Sequence, residues 1–306
     1  MSASETARDV EGLVLDLDTF AVHDGPGIWF AVYLKGCPLS CRWCHSPESR
    51  KPSPEVILMR DRCTLCGTCA SVCPNGVHQV SAAGHARDRA KCTVCGACVD
   101  QCPAGALEIK GATMRASEII GRAIRLKPFL ESSGGGITLT GGEVTSQADF
   151  AEAILAGCAA RGIHTAIETC GACRWERLAQ LLPYTDLVLY DIKLIDDAMH
   201  RLWTGASNRV ILDNAARLAA TGVPVQVRVP LIPGITDTEE NLGGIFAFMQ
   251  RVGLMSVALL PYNASAAAKY EWLDLPHEIA GEPQDAGRLS FLQEIASSMG
   301  LAVGLG

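Results

Sequence analysis

Eleven of the 14 cysteines fall into three closely spaced groups, and this pattern limits the possible folds more than any other feature. Two groups, CTLCGTCASVCP and CTVCGACVDQCP, have identical cysteine spacing and lie 29 residues apart. The third, CPLSCRWC, contains three cysteines instead of four. Disulfides are disfavoured in a reducing cytosol, so dense and regular cysteines in a chain without a secretion pattern indicate metal sites.

The two four-cysteine groups have the spacing by which bacterial ferredoxins hold two 4Fe–4S clusters, with each fourth cysteine serving the other cluster. A short loop containing glycine lets three thiolates converge, and the proline after the fourth cysteine redirects the chain. Paired C-x-x-C groups also bind zinc, so two zinc sites are the alternative. The predicted ligand sets are Cys63, Cys66, Cys69 and Cys102 for one cluster, and Cys92, Cys95, Cys98 and Cys73 for the other.

Outside this segment, short apolar runs alternate with amphipathic stretches such as 146–161 and 208–220, which predicts parallel strands joined by helices. The predicted strands are 30–36, 136–140, 164–169, 187–192, 225–231 and 256–260. The expected fold is α/β, a partial (β/α)6 TIM-like barrel with an inserted bacterial-ferredoxin-like domain that holds two 4Fe–4S clusters. The predicted segments are 1–54 and 113–306 for the barrel and 55–112 for the insert.

Polar or glycine-rich motifs follow five of the six predicted strands, at the ends where barrels of this kind carry their active sites. These motifs are GCPLSC, TGGE, ETCG, YDIK and LPYN. In the first, a cluster held by Cys37, Cys41 and Cys44 would leave one iron without a protein ligand, and an open metal position is where a substrate binds. A fourth ligand from Cys170 or Cys173, or a zinc ion, is the alternative.

The pattern C-x-x-x-C-x-aromatic-C, with Trp43 at the aromatic position, resembles the radical S-adenosylmethionine superfamily. Together with HDGPGI at 23–28, TGGE, ETCG, DIK and LLPY, it resembles the glycyl-radical-enzyme activating enzymes over roughly residues 10–302. Pyruvate formate-lyase activase is the best-known member and lacks the insert. A two-cluster insert resembles the subgroup that serves decarboxylases, dehydratases and lyases.

The resemblance implies that flavodoxin or ferredoxin reduces the chain and that the Cys37, Cys41 and Cys44 cluster cleaves S-adenosylmethionine. The resulting 5′-deoxyadenosyl radical takes hydrogen from a glycine of a partner glycyl radical enzyme. The implied cofactors are three 4Fe–4S clusters, S-adenosylmethionine and a monovalent cation near Glu168 and Thr169. A radical S-adenosylmethionine enzyme with a small-molecule substrate and an electron carrier that uses only the insert clusters are the alternatives.

The resemblance also assigns side chains to the cofactor, and it implies no acid or base catalyst. The GGE motif would receive the amino group of S-adenosylmethionine, Lys193 its carboxylate, and Trp43 its adenine side. The implied cofactor-binding residues are Trp43, Cys44, His45, Gly141, Gly142, Glu143, Glu168, Thr169, Asp191, Ile192, Lys193 and Asn263. The sequence departs from the family pattern at Trp29, Ser46, Glu168 and Asn263.

Composition excludes other classes. The net charge of −7 argues against nucleic-acid binding, which favours a basic face. No apolar run reaches the ~18 residues of a membrane span, and a cytoplasmic monomer is expected. Of the remaining motif residues, Cys158 is expected to be a buried free thiol, Cys170 and Cys173 to have no cluster role, and Asp196 and His200 to be structural or partner-facing.

Overall fold

The computed structural model describes residues 9–22, 25 and 27–306. His23, Asp24 and Pro26 of the HDGPGI motif lie outside the described residues. No described helix is both long and apolar enough to cross a membrane.

The described elements alternate between strands and helices along most of the chain. The strands are β1 Glu11–Ala21, β2 Trp29–Leu34, β3 Glu55–Leu58, β4 His78–Ser81, β5 Gly84–Arg87, β6 Leu107–Lys110, β7 Ala112–Arg115, β8 Ile137–Gly141, β9 Thr165–Thr169, β10 Leu187–Asp191, β11 Val225–Pro230, β12 Ser256–Leu260 and β13 Ala302–Leu305. The helices are α1 Thr68–Val72, α2 Ala97–Asp100, α3 Ala116–Ser133, α4 Ala148–Ala159, α5 Trp175–Ala179, α6 Asp197–Thr204, α7 Arg209–Ala219, α8 Glu239–Val252, α9 Ala267–Trp272 and α10 Ala286–Ser298.

Within the described part of the chain, a nine-stranded sheet runs in the order β13–β12–β11–β10–β9–β8–β2–β1–β7. The strands from β2 to β13 in this order pair in parallel, which confirms a mixed α/β fold with a central parallel sheet. All six predicted strands are present. Closure into a six-unit barrel stays a prediction, because the sheet ends at β13 on one side and β7 on the other.

Three strands of the sheet were not predicted. β1 pairs antiparallel with β2 and β7, and β13 extends the parallel order beyond β12. β13 is a short AVGL run, and its pattern of apolar residues is equally compatible with a helix and with a strand. Pairing with an existing edge, which only the folded sheet supplies, decides its conformation.

The core lies between the sheet and its helices because the parallel strands bury both of their faces. All residues of β2 except Tyr33 are buried, and α4 buries Phe150, Ile154 and Cys158 on the face that meets the sheet. Cys158 is therefore a buried free thiol, as predicted. Its pKa is raised to about 12 by burial, which makes the thiol unreactive.

The insert repeats its backbone as well as its cysteines. Gly67 and Gly96 occupy the left-handed region at φ 78° and 85°, and α1 and α2 begin immediately after them. β3 pairs antiparallel with β6, so that Glu55 lies opposite Lys110. Adjacent strands thus carry the chain into and out of the insert, whose boundaries at 55 and 112 stay a prediction.

An ion-pair network joins the insert to the segment after α9. Arg87 Nη2 lies 2.6 Å from Asp274 Oδ2 and donates to the carbonyl of Trp272 at 2.7 Å, while Arg60 pairs with the other Asp274 oxygen. Leu273 packs against Ile57 of β3, and both are buried. The insert is therefore fastened to the same segment that follows the LPYN motif.

We expect Gly141→Ala to destabilise the chain. Gly141 has φ +104°, and a Cβ there would lie 2.5 Å from the backbone nitrogen of Leu34. Backbone strain alone costs about 1–3 kcal/mol, so the thermal unfolding temperature of the cluster-free chain should fall. The control is Gly243→Ala inside α8, where nothing lies within 4 Å and stability should rise by up to ~1 kcal/mol. Equal unfolding temperatures for Gly141→Ala and the parent chain would contradict this packing.

Candidate active site

A cavity of ≈ 430 Å³ opens at the carboxyl ends of the parallel strands. Parallel pairing places these ends at one edge of the sheet, so residues distant in sequence become neighbours there. The cavity wall at the strand ends consists of Cys37, Gly141, Gly142, Glu168, Thr169, Asp191, Lys193, Arg228, Pro230 and Asn263. All five predicted motifs therefore contribute to one cavity.

The three-cysteine loop forms one side of this cavity, and Cys37, Cys41 and Cys44 all line it. Among the described residues, these three sulfurs do not form a group with every separation within 4.8 Å. A tetrahedral zinc would hold them at about 3.8 Å, given Zn–S bonds near 2.3 Å. The loop therefore does not present the close three-sulfur group that a single zinc ion would hold.

Two cations face the buried thiols of this loop. Burial raises the pKa of Cys41 to about 12, and Arg50 and Lys193 oppose that rise. Burial also raises the pKa of Cys44, again opposed by Arg50. Because cluster ligands must be thiolates, the two cations favour the charged form that ligation requires.

Helix α9 holds the loop from outside through Tyr270, a residue that belongs to none of the sequence motifs. The Tyr270 hydroxyl donates to the Arg42 carbonyl at 2.9 Å and accepts from Arg50 Nη2 at 2.9 Å. Arg50 also donates to the Cys41 carbonyl. The loop conformation therefore depends on a helix more than 220 residues away in sequence.

Asp191 and Lys193 form a close ion pair at the end of β10, with Nζ 2.6 Å from Oδ2. Burial lowers the pKa of Lys193, but the negative charges of Asp191, Cys41 and Cys170 together outweigh burial and raise that pKa above its usual range. Lys193 is therefore a fixed cation at the cavity wall. Ile192 between them is buried in the core and does not line the cavity.

Glu143 lies behind the cavity wall instead of facing the cavity. Its carboxylate is fully buried and accepts from the Thr145 hydroxyl at 2.7 Å, the Thr169 hydroxyl at 2.6 Å and the Cys170 nitrogen at 2.8 Å. The Cys170 thiol donates to it at 3.0 Å. These bonds join the GGE and ETCG motifs, so in this structure Glu143 positions the wall that Gly141 and Gly142 form.

Glu168 has its own cationic partner. Its carboxylate lies 3.1 Å from Arg228 Nη1 and accepts from the Thr140 hydroxyl. Arg228 is on β11, directly opposite Asp191 in the parallel register. Sequence reasoning missed Arg228 because an arginine inside an apolar strand carried no motif.

The remaining predicted contacts divide between the cavity and the scaffold. Trp43, His45 and Asn263 line the cavity, and burial lowers the pKa of His45, which favours a neutral ring. The Asn263 side chain also accepts from the Ser265 nitrogen at 2.9 Å. Trp29 is buried with its ring centroid 5.4 Å from that of His164, so this departure from the family pattern belongs to the core.

The ETCG loop is held by a helix. Asn214 of α7 donates to the carbonyls of Gly171 and Cys173, both at 2.9 Å. Cys170 lines the cavity beside Cys37, and this contact lowers the pKa of the Cys37 thiol. Cys170 thus lies beside a predicted cluster ligand, closer to the chemistry than its spacing indicated.

Asp196 and His200 have structural contacts. Asp196 accepts from the Met199 nitrogen at 2.8 Å and caps α6. His200 is buried and bonds the Ala206 carbonyl at 2.7 Å.

The insert brings cysteines of the first predicted set to one cavity. One cavity is lined by Cys63, Cys66, Cys69 and Cys102, the four members of the first predicted set. In the second set, burial raises the pKa of Cys98 to about 11, and the charges of Cys92 and Cys73 add to that rise because their sulfurs lie nearby. Both sets therefore fit clusters that exchange their fourth cysteines.

We expect Glu143→Gln to destabilise the chain when the chain contains neither a cluster nor S-adenosylmethionine. The amide nitrogen of the new Gln is a donor, and it would face donors that now point at the Glu143 carboxylate. Each buried donor left without an acceptor costs about 1–3 kcal/mol. Thermal unfolding measures the loss. A matched control is Glu152→Gln at a half-buried position of α4, where Gln180 is a 3.3 Å partner. An unchanged Glu143→Gln unfolding temperature would mean that Glu143 does not tie the wall together.

Two family models match the chain. The radical SAM superfamily matches residues 89–242. The 4Fe–4S dicluster domain matches residues 62–107, inside the predicted insert. This second match supports clusters in addition to the one that the radical SAM superfamily implies.

Curated relatives extend over nearly the whole chain. The choline trimethylamine-lyase activating enzyme of Oleidesulfovibrio alaskensis is 39% identical, with 89% of this chain and 90% of the relative covered. The trans-4-hydroxy-L-proline dehydratase activating enzyme of Clostridioides difficile is 40% identical, with 85% and 87% covered. Streptococcus suis SuiB, in a crystal structure with precursor peptide SuiA, shares the fold at a TM-score of 0.56 and 12% identity, over 92% of this chain and 49% of SuiB.

These relatives favour an activating enzyme over the small-molecule enzyme and the electron carrier. The chain belongs to the radical S-adenosylmethionine superfamily, within the family of glycyl-radical-enzyme activating enzymes.

Proposed function

We propose that the cavity at the strand ends binds S-adenosylmethionine against a 4Fe–4S cluster held by Cys37, Cys41 and Cys44. The observation that carries this proposal is the convergence of the three-cysteine loop with four other strand-end motifs on one cavity. When bound, the cluster supplies the electron that cleaves S-adenosylmethionine to methionine and the 5′-deoxyadenosyl radical, which takes hydrogen from a partner's glycine.

The chain's own residues orient the cofactor. Lys193, a fixed cation at the wall, pairs with the carboxylate of S-adenosylmethionine. Gly141 and Gly142 let the amino end approach the backbone, because neither presents a side chain. Glu143 positions this wall and does not contact the cofactor directly. Trp43 offers an aromatic face to the adenine. No residue needs to transfer a proton.

Two groups are candidates for the positive charge next to the Glu168 carboxylate. A monovalent cation, expected from Glu168 and Thr169, stays a prediction. Arg228 lies 3.1 Å from the Glu168 carboxylate and already supplies positive charge there. If Arg228 alone supplies the positive charge next to Glu168, the affinity for S-adenosylmethionine is the same in buffers that contain sodium, potassium or a large organic cation.

We propose two further 4Fe–4S clusters in the insert, for a total of three, with reduction by flavodoxin or ferredoxin. The matched dicluster family and the cavity around Cys63, Cys66, Cys69 and Cys102 support this count. The working unit is a monomer that meets its partner transiently. The partner is a glycyl radical enzyme of the lyase or dehydratase type, since relatives named for both types are equally similar, at 39% and 40% identity.

We expect Lys193→Met to weaken S-adenosylmethionine binding about tenfold or more, equivalent to ~1.4 kcal/mol, because the carboxylate loses its cation. Equilibrium dialysis on the reconstituted chain measures the affinity. Lys127→Met is the matched control, since Lys127 pairs with Glu131 on the surface of α3. Equal affinities for both variants would remove Lys193 from the site.

The central test is Cys44→Ala. The parent chain should contain about twelve irons and the variant about eight, since each cubane holds four. The variant should release no 5′-deoxyadenosine from S-adenosylmethionine under reducing conditions. Persistent release would place the chemistry elsewhere.

Co-incubation with candidate partners completes this test. The reduced parent chain with S-adenosylmethionine should produce a glycyl radical signal by electron paramagnetic resonance, and Cys44→Ala should not. Cleavage of S-adenosylmethionine without a radical on any lyase or dehydratase partner would refute the proposed partner class.

A further inference from the structure

The insert contains a buried histidine pair that the proposed function does not use. His78 lies on β4 and His85 on β5, and they are 6% and 5% exposed. His78 Nδ1 is 2.9 Å from His85 Nε2, a hydrogen-bond distance. One N–H therefore lies between the two rings.

His85 also contacts two cysteines of one predicted cluster. Its Nδ1 lies 3.5 Å from Cys63 Sγ, and its Nε2 lies 3.7 Å from Cys69 Sγ. The ring lines the same cavity as Cys66 and Cys102. The imidazole is therefore in hydrogen-bonding contact with the ligand shell of this cluster.

Electrostatics selects the tautomer of His85. A neutral imidazole carries one N–H, so only one of its nitrogens donates. If His78 donates to Nε2 of His85, the N–H of His85 is on Nδ1 and points at Cys63. The opposite arrangement would aim a lone pair at a thiolate, which is repulsive. His78 thus fixes His85 as a donor to the cluster ligand.

A single metal on Cys69, His78 and His85 is the competing interpretation, since their ligand atoms all lie within 4.8 Å of one another. Two nitrogens on one tetrahedral zinc would be about 3.3 Å apart, given Zn–N bonds near 2.0–2.1 Å. The observed 2.9 Å is shorter and fits a shared proton. Cys69 is also the third cysteine of a complete ferredoxin group.

The internal repeat supplies a comparison within the same chain. Shifted by 29 residues, the position of His78 is occupied by Leu107. Thr68, whose hydroxyl lies 3.4 Å from Cys66 Sγ, is replaced by Ala97. Across the described residues, no side-chain donor reaches the sulfurs of Cys92, Cys95 or Cys98.

One backbone donor, in contrast, is equivalent in the two halves. The Val77 nitrogen lies 3.4 Å from Cys73 Sγ, and the Ala106 nitrogen lies 3.3 Å from Cys102 Sγ. The two cluster environments therefore differ in side-chain donors, while these backbone bonds match.

We propose that His85, oriented by His78, raises the reduction potential of the Cys63, Cys66, Cys69 and Cys102 cluster above that of its repeat partner. Hydrogen bonds to ligand sulfurs stabilise the more negative, reduced cluster. Each cluster gains one electron from the external donor, which loses one. The two insert clusters then fill in a fixed order, with the His85 cluster first. This inference rests on the proposed pair of insert clusters.

The experiment uses the full chain with Cys37, Cys41 and Cys44 all changed to Ala, so that only insert clusters assemble. A potentiometric titration followed by electron paramagnetic resonance should resolve two midpoints. His85→Leu should lower the higher midpoint potential by at least ~59 mV, which is a tenfold change in the one-electron equilibrium constant. The lower midpoint potential should stay unchanged. His78→Leu should shift the same midpoint less.

Two further variants separate tuning from structural damage. His85→Asn keeps an N–H donor and should restore part of the shift. Gln79→Leu, on the exposed side of β4, should change neither midpoint.

Several results would overturn the inference. Indistinguishable midpoints in the parent, or unchanged midpoints in both His85→Leu and His78→Leu, contradict it. A strong nitrogen hyperfine coupling, lost in His85→Leu, would show direct ligation instead. An iron content near four instead of about eight would overturn the two-cluster proposal as well. Release of 5′-deoxyadenosine by the unmodified chain tests the active site separately.

Discussion

The parallel register of the central sheet is the constraint on which the rest of this structure depends. It sets Leu34 beside Gly141, Tyr190 beside Thr169, and Asp191 beside Arg228. Each pairing aligns the carboxyl ends of neighbouring strands, so every loop that follows opens toward one cavity. A one-residue slip would exchange side chains between the two buried faces of a strand, and the packing on both faces resists that slip.

Two acidic side chains, one buried and one half-buried, have different roles at this edge. Glu143 is fully buried and bonds Thr145, Thr169 and Cys170, so it joins two loops into one wall. Asp191 instead holds Lys193 at the cavity surface. A carboxylate with hydroxyl and amide donors stabilises the scaffold, whereas one with an ammonium group creates a charged contact for a ligand. The same residue type therefore has different functions because its partners differ.

Helix α9 couples the three-cysteine loop to the insert. Tyr270 bonds Arg42 and Arg50 at the loop, and Asp274 beyond the helix pairs with Arg60 and Arg87 of the insert. These six residues thus connect two predicted cluster regions through one short segment. The segment also follows the LPYN motif at the cavity wall. Displacement of the insert would therefore also move the cavity wall and the three-cysteine loop.

The sequence by itself determined the six parallel strands and the family, and its cysteine spacing predicted the ligand sets, because covalent spacing and hydrophobic period are local properties. Only the tertiary structure placed Glu143 behind the wall, although its motif predicted a contact with the cofactor. It also found Arg228, Tyr270 and the His78–His85 pair, none of which belongs to a motif. Their positions depend on which strands and helices become neighbours, and contacts between distant segments leave no fixed spacing along the chain.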